Sequence, residues 1–185
     1  QYKDFYGLKG NVNLSGNMLV EYSAGTTANT TYSKSLSGSG SLTVAAGTAG
    51  GTLTLSGDNS AFTGQKSITS GGVIAETLSS LGSAEQKWLI AKQGWLASHA
   101  FTDSVDILSY IATTSTGTLA LSNDLTEQLD FSAHSGLFLG AEVGKTVQYG
   151  AADTTDVWTA TGDDYLLGGG GGTLVVNYKL TGANT

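Results

Sequence analysis

Cysteine, proline and arginine are all absent from this chain of 185 residues. Without cysteine, the fold contains neither disulfide bonds nor thiolate metal sites. Only 12% of the residues are charged, whereas an ordinary globular protein has about 25%, so hydroxyl and amide side chains must cover much of the surface. No run approaches the ~18 consecutive apolar residues of a membrane-spanning helix. The sequence therefore predicts an ordinary apolar core and no insertion into a membrane.

The charge is predominantly negative. Fifteen acidic residues face eight lysines, for a net charge of −7. Nucleic acids and anionic membranes attract clustered cations, so we expect neither as a partner. The chain starts at Gln1 rather than Met and shows no charged and apolar leader, which predicts a processed or excised polypeptide from which any signal peptide has been removed.

A short strand-like pattern recurs four times: Gly, a small hydroxyl residue, Leu, any residue, then Leu or Val. Apolar side chains on alternate residues are typical of a half-buried strand. The copies are unevenly spaced, which favours stacked solenoid turns with insertions; the alternative is chance recurrence in an all-β chain rich in Gly, Thr and Leu. The copies lie at 40–44, 51–55, 117–121 and 172–176.

Residues 51–74, GTLTLSGDNSAFTGQKSITSGGVI, resemble the autotransporter-associated β-strand repeat of bacterial passenger domains. Residues 117–141 and 165–176 resemble segments of large surface proteins that carry this repeat. The resemblance implies a right-handed parallel β-helix, displayed outside a bacterial cell and usually without enzymatic activity. The matching positions in the best copy are Gly51, Leu53, Leu55, Gly57, Asn59, Phe62, Thr63, Gly64, Ile68, Gly71 and Gly72.

Residues 77–113 interrupt the strand pattern and predict a helical insertion. Trp88, Ala91 and Trp95 recur at helical spacing after a capping sequence at 83–86, which predicts a helix over 84–99. A stripe of Val105, Leu108 and Ile111 predicts a second short helix over 104–111. We therefore expect a short two-helix insertion near 83–111, with Trp88 and Trp95 as packing residues.

Both ends of the chain carry candidate contact residues. Alternation is clearest over 173–180, where an edge strand would present open backbone groups. The aromatic segment 1–9 is predicted to cap the solenoid or to dock on a neighbouring molecule. The predicted subunit-interface residues are Tyr2, Phe5, Tyr6, Leu174, Val176, Tyr178 and Leu180.

Sites for chemistry are weak, and we predict no catalytic, cofactor-binding or metal-binding residue. The glycines 168–172 precede a strand rather than a helix, so tight backbone packing is favoured over a phosphate loop. His99 and His134 are two isolated imidazoles. The aspartates at 153, 156, 163 and 164 match no calcium-loop spacing, which favours solvated turns over a calcium site.

The favoured hypothesis is a single β-solenoid domain over 1–185 that is an extracellular, cell-surface structural protein. Copies of the chain would join through strand edges and termini into a filament or layer. The alternative is an adhesin-like passenger fragment that displays loops to glycans or host surfaces, with Tyr149, Trp158 and Tyr165 as candidate exposed aromatics. A polysaccharide-active enzyme would require clustered carboxylates, which the scattered glutamates do not indicate.

Overall fold

The computed structural model describes residues 8–22, 29–45, 51–159 and 164–181. Its strands are nearly all parallel and stack as a β-solenoid of about seven turns. The predicted all-β solenoid is confirmed, whereas the right-handed coiling that the resemblance implies stays a prediction. No helix within these ranges is long and apolar enough to span a bilayer.

The first eight strands belong to the amino-terminal half. The longest two, β7 and β8, each continue around a corner of the solenoid and so contribute to two of its sides. The strands are β1 (Val12–Asn13), β2 (Asn17–Glu21), β3 (Asn29–Tyr32), β4 (Leu36–Ser37), β5 (Ser41–Ala45), β6 (Thr52–Leu55), β7 (Gln65–Ala75) and β8 (Trp88–Ser98).

Six shorter strands follow. Two single 3₁₀ turns, Ser79–Leu81 and Ile107–Tyr110, are the helical elements of the described residues. The strands are β9 (Thr118–Leu121), β10 (Phe138–Ala141), β11 (Thr146–Tyr149), β12 (Val157–Thr159), β13 (Thr173–Val176) and β14 (Lys179–Thr181).

Parallel, in-register pairing places equivalent side chains in columns that run along the solenoid. One inward column consists of Val20, Val44, Ile68 and Ile90, all fully buried. A second column contains one residue from each of the seven turns and is used here to number them. One hydrophobic cluster extends from Leu14 to Tyr178. The second column is Thr30, Leu53, Val73, Leu96, Leu119, Leu139 and Leu167.

Glycine marks one corner in the first turns because the backbones of successive turns touch there. A Cβ on Gly40 would overlap the carbonyl oxygen of Gly16, and a Cβ on Gly64 would overlap that of Gly40. The three glycines recur every 24 residues, which is the spacing at which Met18 pairs with Leu42. Only glycine fits such an approach, so the strand-start glycine is a packing requirement.

The predicted two-helix insertion, near 83–111 within 77–113, is wrong. Residues 84–99 contain β8, which pairs with β7 on one side and with β9 on the other. Of the second helix, only the 3₁₀ turn Ile107–Tyr110 is present. The two tryptophans are seven residues apart, a spacing that fits a helix but that a strand places on opposite faces: Trp88 faces inward and Trp95 lies on the outer side over Gly72. Backbone pairing with two neighbours outweighs the local helical pattern.

Candidate functional site

The carboxy-terminal end of the solenoid exposes part of its core. β13 pairs with β11 and β14 pairs with β12, and no described strand pairs with the other edge of β13 or β14. Leu180 continues the inward column of Trp158 and is nevertheless 40% exposed. Leu174 and Val176, below Val147 and Tyr149, are half-buried. An apolar end with open backbone groups is a surface for strand addition.

The amino-terminal end differs, because its core positions are covered. Met18 is 4% exposed, Val20 is fully buried, and Leu8 packs against the core cluster. The hydroxyl of Tyr32 donates to the carbonyl oxygen of Gly10 over 2.8 Å. The two ends of the described solenoid are therefore chemically unequal.

The predicted interface residues separate into three groups. Leu174, Val176 and Leu180 lie together at the open end. Tyr178 does not, since it is 7% exposed and its hydroxyl donates to the Thr126 carbonyl oxygen over 2.6 Å. Burial raises the pKa of Tyr178, as do the nearby carboxylates of Asp156, Asp103 and Glu127. Tyr2, Phe5 and Tyr6 lie outside the described residues.

The single strand predicted over 173–180 is also wrong, because the chain turns a corner at Asn177. The Asn177 amide donates to the side-chain oxygen of Gln148 and to the carbonyl oxygen of Gly150. These bonds separate β13 from β14, so that Leu180 belongs to a different side from Leu174.

The aromatic residues proposed for glycan contact form an internal cluster instead. Tyr149 is fully buried, its ring packs edge-on against Trp158 at 5.1 Å, and its hydroxyl accepts from the Leu129 amide over 2.7 Å. Burial raises the pKa of Tyr149 well above its ordinary range. Tyr165 is half-buried, and its hydroxyl accepts from the Thr181 amide and lies within hydrogen-bonding distance of the carbonyl oxygens of Trp158 and Thr181, which share its one proton. These rings fill the last turns rather than form an exposed row.

An acidic groove lies between the loop that follows β8 and the loop that follows β9. It has a volume of about 330 Å³ and a floor that includes Ile107, Leu108 and Leu125. Asp103 accepts three hydrogen bonds from Thr126 and Glu127, which hold the pKa of its carboxyl low although burial opposes this. A second hollow of about 180 Å³, next to Trp158, shares residues 128–130 with it. The carboxylates that line the groove are Asp103, Asp106, Glu127 and Asp130.

A second charged group surrounds His99. Its Nδ1 lies 2.8 Å from Glu76 Oε2, and its Nε2 lies 3.2 Å from Glu142 Oε2. Burial opposes the charged ring, but the hydrogen bonds and charges of Glu76 and Glu142 outweigh it and raise the pKa of His99. Because the two nitrogens point to opposite sides of the ring, these three residues do not converge on one point, as metal ligands must.

His134, the other predicted isolated imidazole, is 6% exposed. Its Nε2 donates to the Ile111 carbonyl oxygen over 3.1 Å, and its Nδ1 is buried without a hydrogen-bond partner. Across the described ranges, no group of three or more His, Cys, Asp or Glu side chains is arranged to hold a metal ion. Asp163, from the predicted aspartate loops, lies outside these ranges.

Lys66 is a buried cation that sequence reasoning did not anticipate. It occupies the inward column between Leu42 and Trp88 and is 2% exposed. Its ammonium donates to the carbonyl oxygens of Leu81 and Ser83 over 2.8 and 2.9 Å and lies over the Trp88 ring. Burial lowers the pKa of Lys66 to about 8. Both carbonyls belong to the turn after β7, so Lys66 fixes that corner.

The glycines 168–172 pack tightly, as predicted, rather than forming a loop for phosphate. Gly168 donates its amide to the Leu139 carbonyl oxygen over 2.8 Å. A side chain at Gly169 would overlap Thr118, and one at Gly170 would overlap Ala120. The run lies against β9 and β10, and a Cβ would overlap a neighbouring atom at three of its five positions, Gly169, Gly170 and Gly172.

Comparison with protein-family models, with curated proteins and with solved structures finds no match to this chain.

Proposed function

We propose that this chain is an extracellular structural protein that joins copies of itself through the open carboxy-terminal end of its solenoid, as a building block of a surface filament or layer. Its role is mechanical rather than catalytic. The observation that carries this proposal is the half-exposed core at that end, where Leu174, Val176 and Leu180 continue inward columns.

Two physical arguments support a second copy as the occupant of this end. A strand added to β13 or β14 would satisfy the free backbone groups and cover apolar side chains at the same time. If the contact is head-to-tail, it repeats without closing and produces a filament. In this proposal Tyr2, Phe5 and Tyr6 supply contacts from the neighbouring copy.

A single-site substitution tests the proposal, with a matched control on the same molecule. Leu180→Lys places a charge at the open end, whereas Leu89→Lys changes a leucine of similar exposure on the outer side of β8, at 43% against 40%. We expect the unchanged chain and L89K to assemble in sedimentation velocity and negative-stain microscopy at neutral pH. L180K should remain a monomer, with the circular dichroism spectrum of the unchanged chain.

Two results would contradict this proposal. One is a monomer for the unchanged chain across the accessible concentrations, and the other is equal assembly by L180K and the unchanged chain. Loss of assembly in both lysine variants would show that charge rather than the open end controls association.

The second candidate function is a passenger fragment that binds a partner through displayed loops, which the acidic groove favours. Its carboxylates and its apolar floor suit a ligand that combines positive charge with an apolar body. A glycan without amino groups lacks that charge, so the groove favours cationic partners over neutral glycans. A strictly monomeric chain that binds cationic glycans on an array would support this candidate.

A further inference from the structure

His99 connects three turns of the solenoid through its side chain. Glu76 follows β7 in the third turn, His99 follows β8 in the fourth, and Glu142 follows β10 in the sixth. Ser122, after β9 in the fifth turn, contributes a neutral and buried hydroxyl to the same corner. Asn123 donates its amide to the His99 backbone carbonyl oxygen over 2.9 Å, which holds the backbone at this corner. The grooves described above do not include this group.

The contacts match the protonated ring. A neutral imidazole has one N–H and one lone pair, whereas an imidazolium donates from both nitrogens. Both nitrogens of His99 face carboxylate oxygens, so a neutral ring would direct its lone pair at a negative charge. Glu142 is 5% exposed, and a buried carboxylate without a cationic partner is strongly disfavoured.

We propose that His99 is a proton-operated clasp: the protonated ring ties Glu76 to Glu142 across the third to sixth turns, and loss of the proton opens the contact to Glu142. The charged groups in contact with the ring, among the described residues, are these two carboxylates. The His99 contacts therefore stabilise this corner of the solenoid more strongly in mildly acidic solution than in alkaline solution. It is independent of the assembly proposed above, because it operates within one chain.

The direction of the pH effect follows from the raised pKa of His99 in the folded chain. The folded state holds the proton more tightly than the unfolded state, in which His99 has an ordinary pKa of about 6.5. The contribution of the clasp to stability is therefore complete below that ordinary value. It is lost as the pH rises through the higher folded value.

The test follows the His99 ring by nuclear magnetic resonance during a pH titration, with His99→Gln used to assign its signals. We expect the midpoint for His99 to lie above the ordinary value. The midpoint should fall in Glu142→Gln and in Glu76→Gln, each of which replaces a carboxylate with a neutral amide of the same shape. Glu85→Gln removes one charge from an exposed position and should leave the midpoint unchanged.

Denaturant unfolding supplies the second readout. In the unchanged chain the unfolding equilibrium constant should increase as the pH rises through the His99 midpoint, and this increase should shrink in the E76Q and E142Q variants. If E142Q does not fold, E76Q alone provides the test. A midpoint at or below the ordinary value, or one that neither glutamate variant changes, would overturn the clasp.

Discussion

The first and the last turns of this solenoid fill their interior with different kinds of side chains. Between the first two turns, paired strand positions are 23 or 24 residues apart and aliphatic side chains stack in columns. In the last turns the spacing varies, from 22 residues between Trp158 and Leu180 to 28 between Leu139 and Leu167. There the interior is filled by an aromatic cluster of Phe131, Tyr149, Trp158, Tyr165 and Tyr178.

The difference shows what each kind of packing requires. Nearly equal spacing lets small aliphatic groups repeat, and it requires glycine where the backbones touch at the corner. Unequal spacing leaves gaps of unequal shape, which large rings fill, and their polar atoms bind backbone groups of neighbouring segments. The regular end is covered and the irregular end is open. We therefore expect substitutions in the regular turns to lower the free energy of unfolding most, and substitutions at the irregular end to weaken self-association.

The largest expected difference in the free energy of unfolding is between alanine variants of two leucines that lie in inward columns. Leu53 is fully buried in the second turn, so Leu53→Ala should lower the free energy of unfolding by about 2–5 kcal/mol. Leu174 is half-buried at the open end, so Leu174→Ala should cost the monomer about 1 kcal/mol or less but weaken self-association. Denaturant unfolding and sedimentation velocity measure the two effects. Equal losses of stability in both variants would contradict the proposed division.

A smaller difference should separate two asparagines that bridge turns. Asn59 is 2% exposed; its side chain accepts from the Leu36 amide and donates to the Ser80 carbonyl oxygen. Asn59→Ala leaves the Leu36 amide and the Ser80 carbonyl oxygen without their side-chain partner. We expect this to lower the free energy of unfolding by about 1–3 kcal/mol for each buried group. Asn177, at the last corner, is half-buried, and water can replace its lost bonds, so Asn177→Ala should cost only about 0.5–1 kcal/mol. Urea unfolding of the two alanine variants tests this order, which a larger loss for N177A would reverse.

The strands were predictable where the pattern is local. Alternating side chains correctly placed β5, β6 and β9, because an inward apolar position every second residue is visible in the sequence. β3 was missed, since its inward positions are Thr30 and Tyr32 and a hydroxyl-rich segment resembles a turn. β8 was mistaken for a helix, because Trp88 and Trp95 are seven residues apart, which fits helical spacing, whereas in the strand they lie on opposite faces.

The candidate sites were predictable only in part. The position of Leu174, Val176 and Leu180 at a strand edge was predictable, because apolar alternation at a terminal strand indicates an edge; their role as an interface stays a prediction. The contacts of His99 were not, since Glu76, His99 and Glu142 are 23 and 43 residues apart and meet only through the stacking of turns. One signal was available: each residue directly follows an alternating or apolar stretch, the position at which successive turns place residues side by side.

The central claim is that the open edges of β13 and β14 receive a second copy of the chain. Amide hydrogen exchange, followed from dilute to concentrated solution, tests it most directly. The account predicts that the amides of Leu174, Val176 and Leu180, which alternate with the amides already bonded within the chain, become protected as concentration increases, while those of Asn17–Glu21 do not change. Exchange at β13 and β14 that stays the same at every concentration would contradict it.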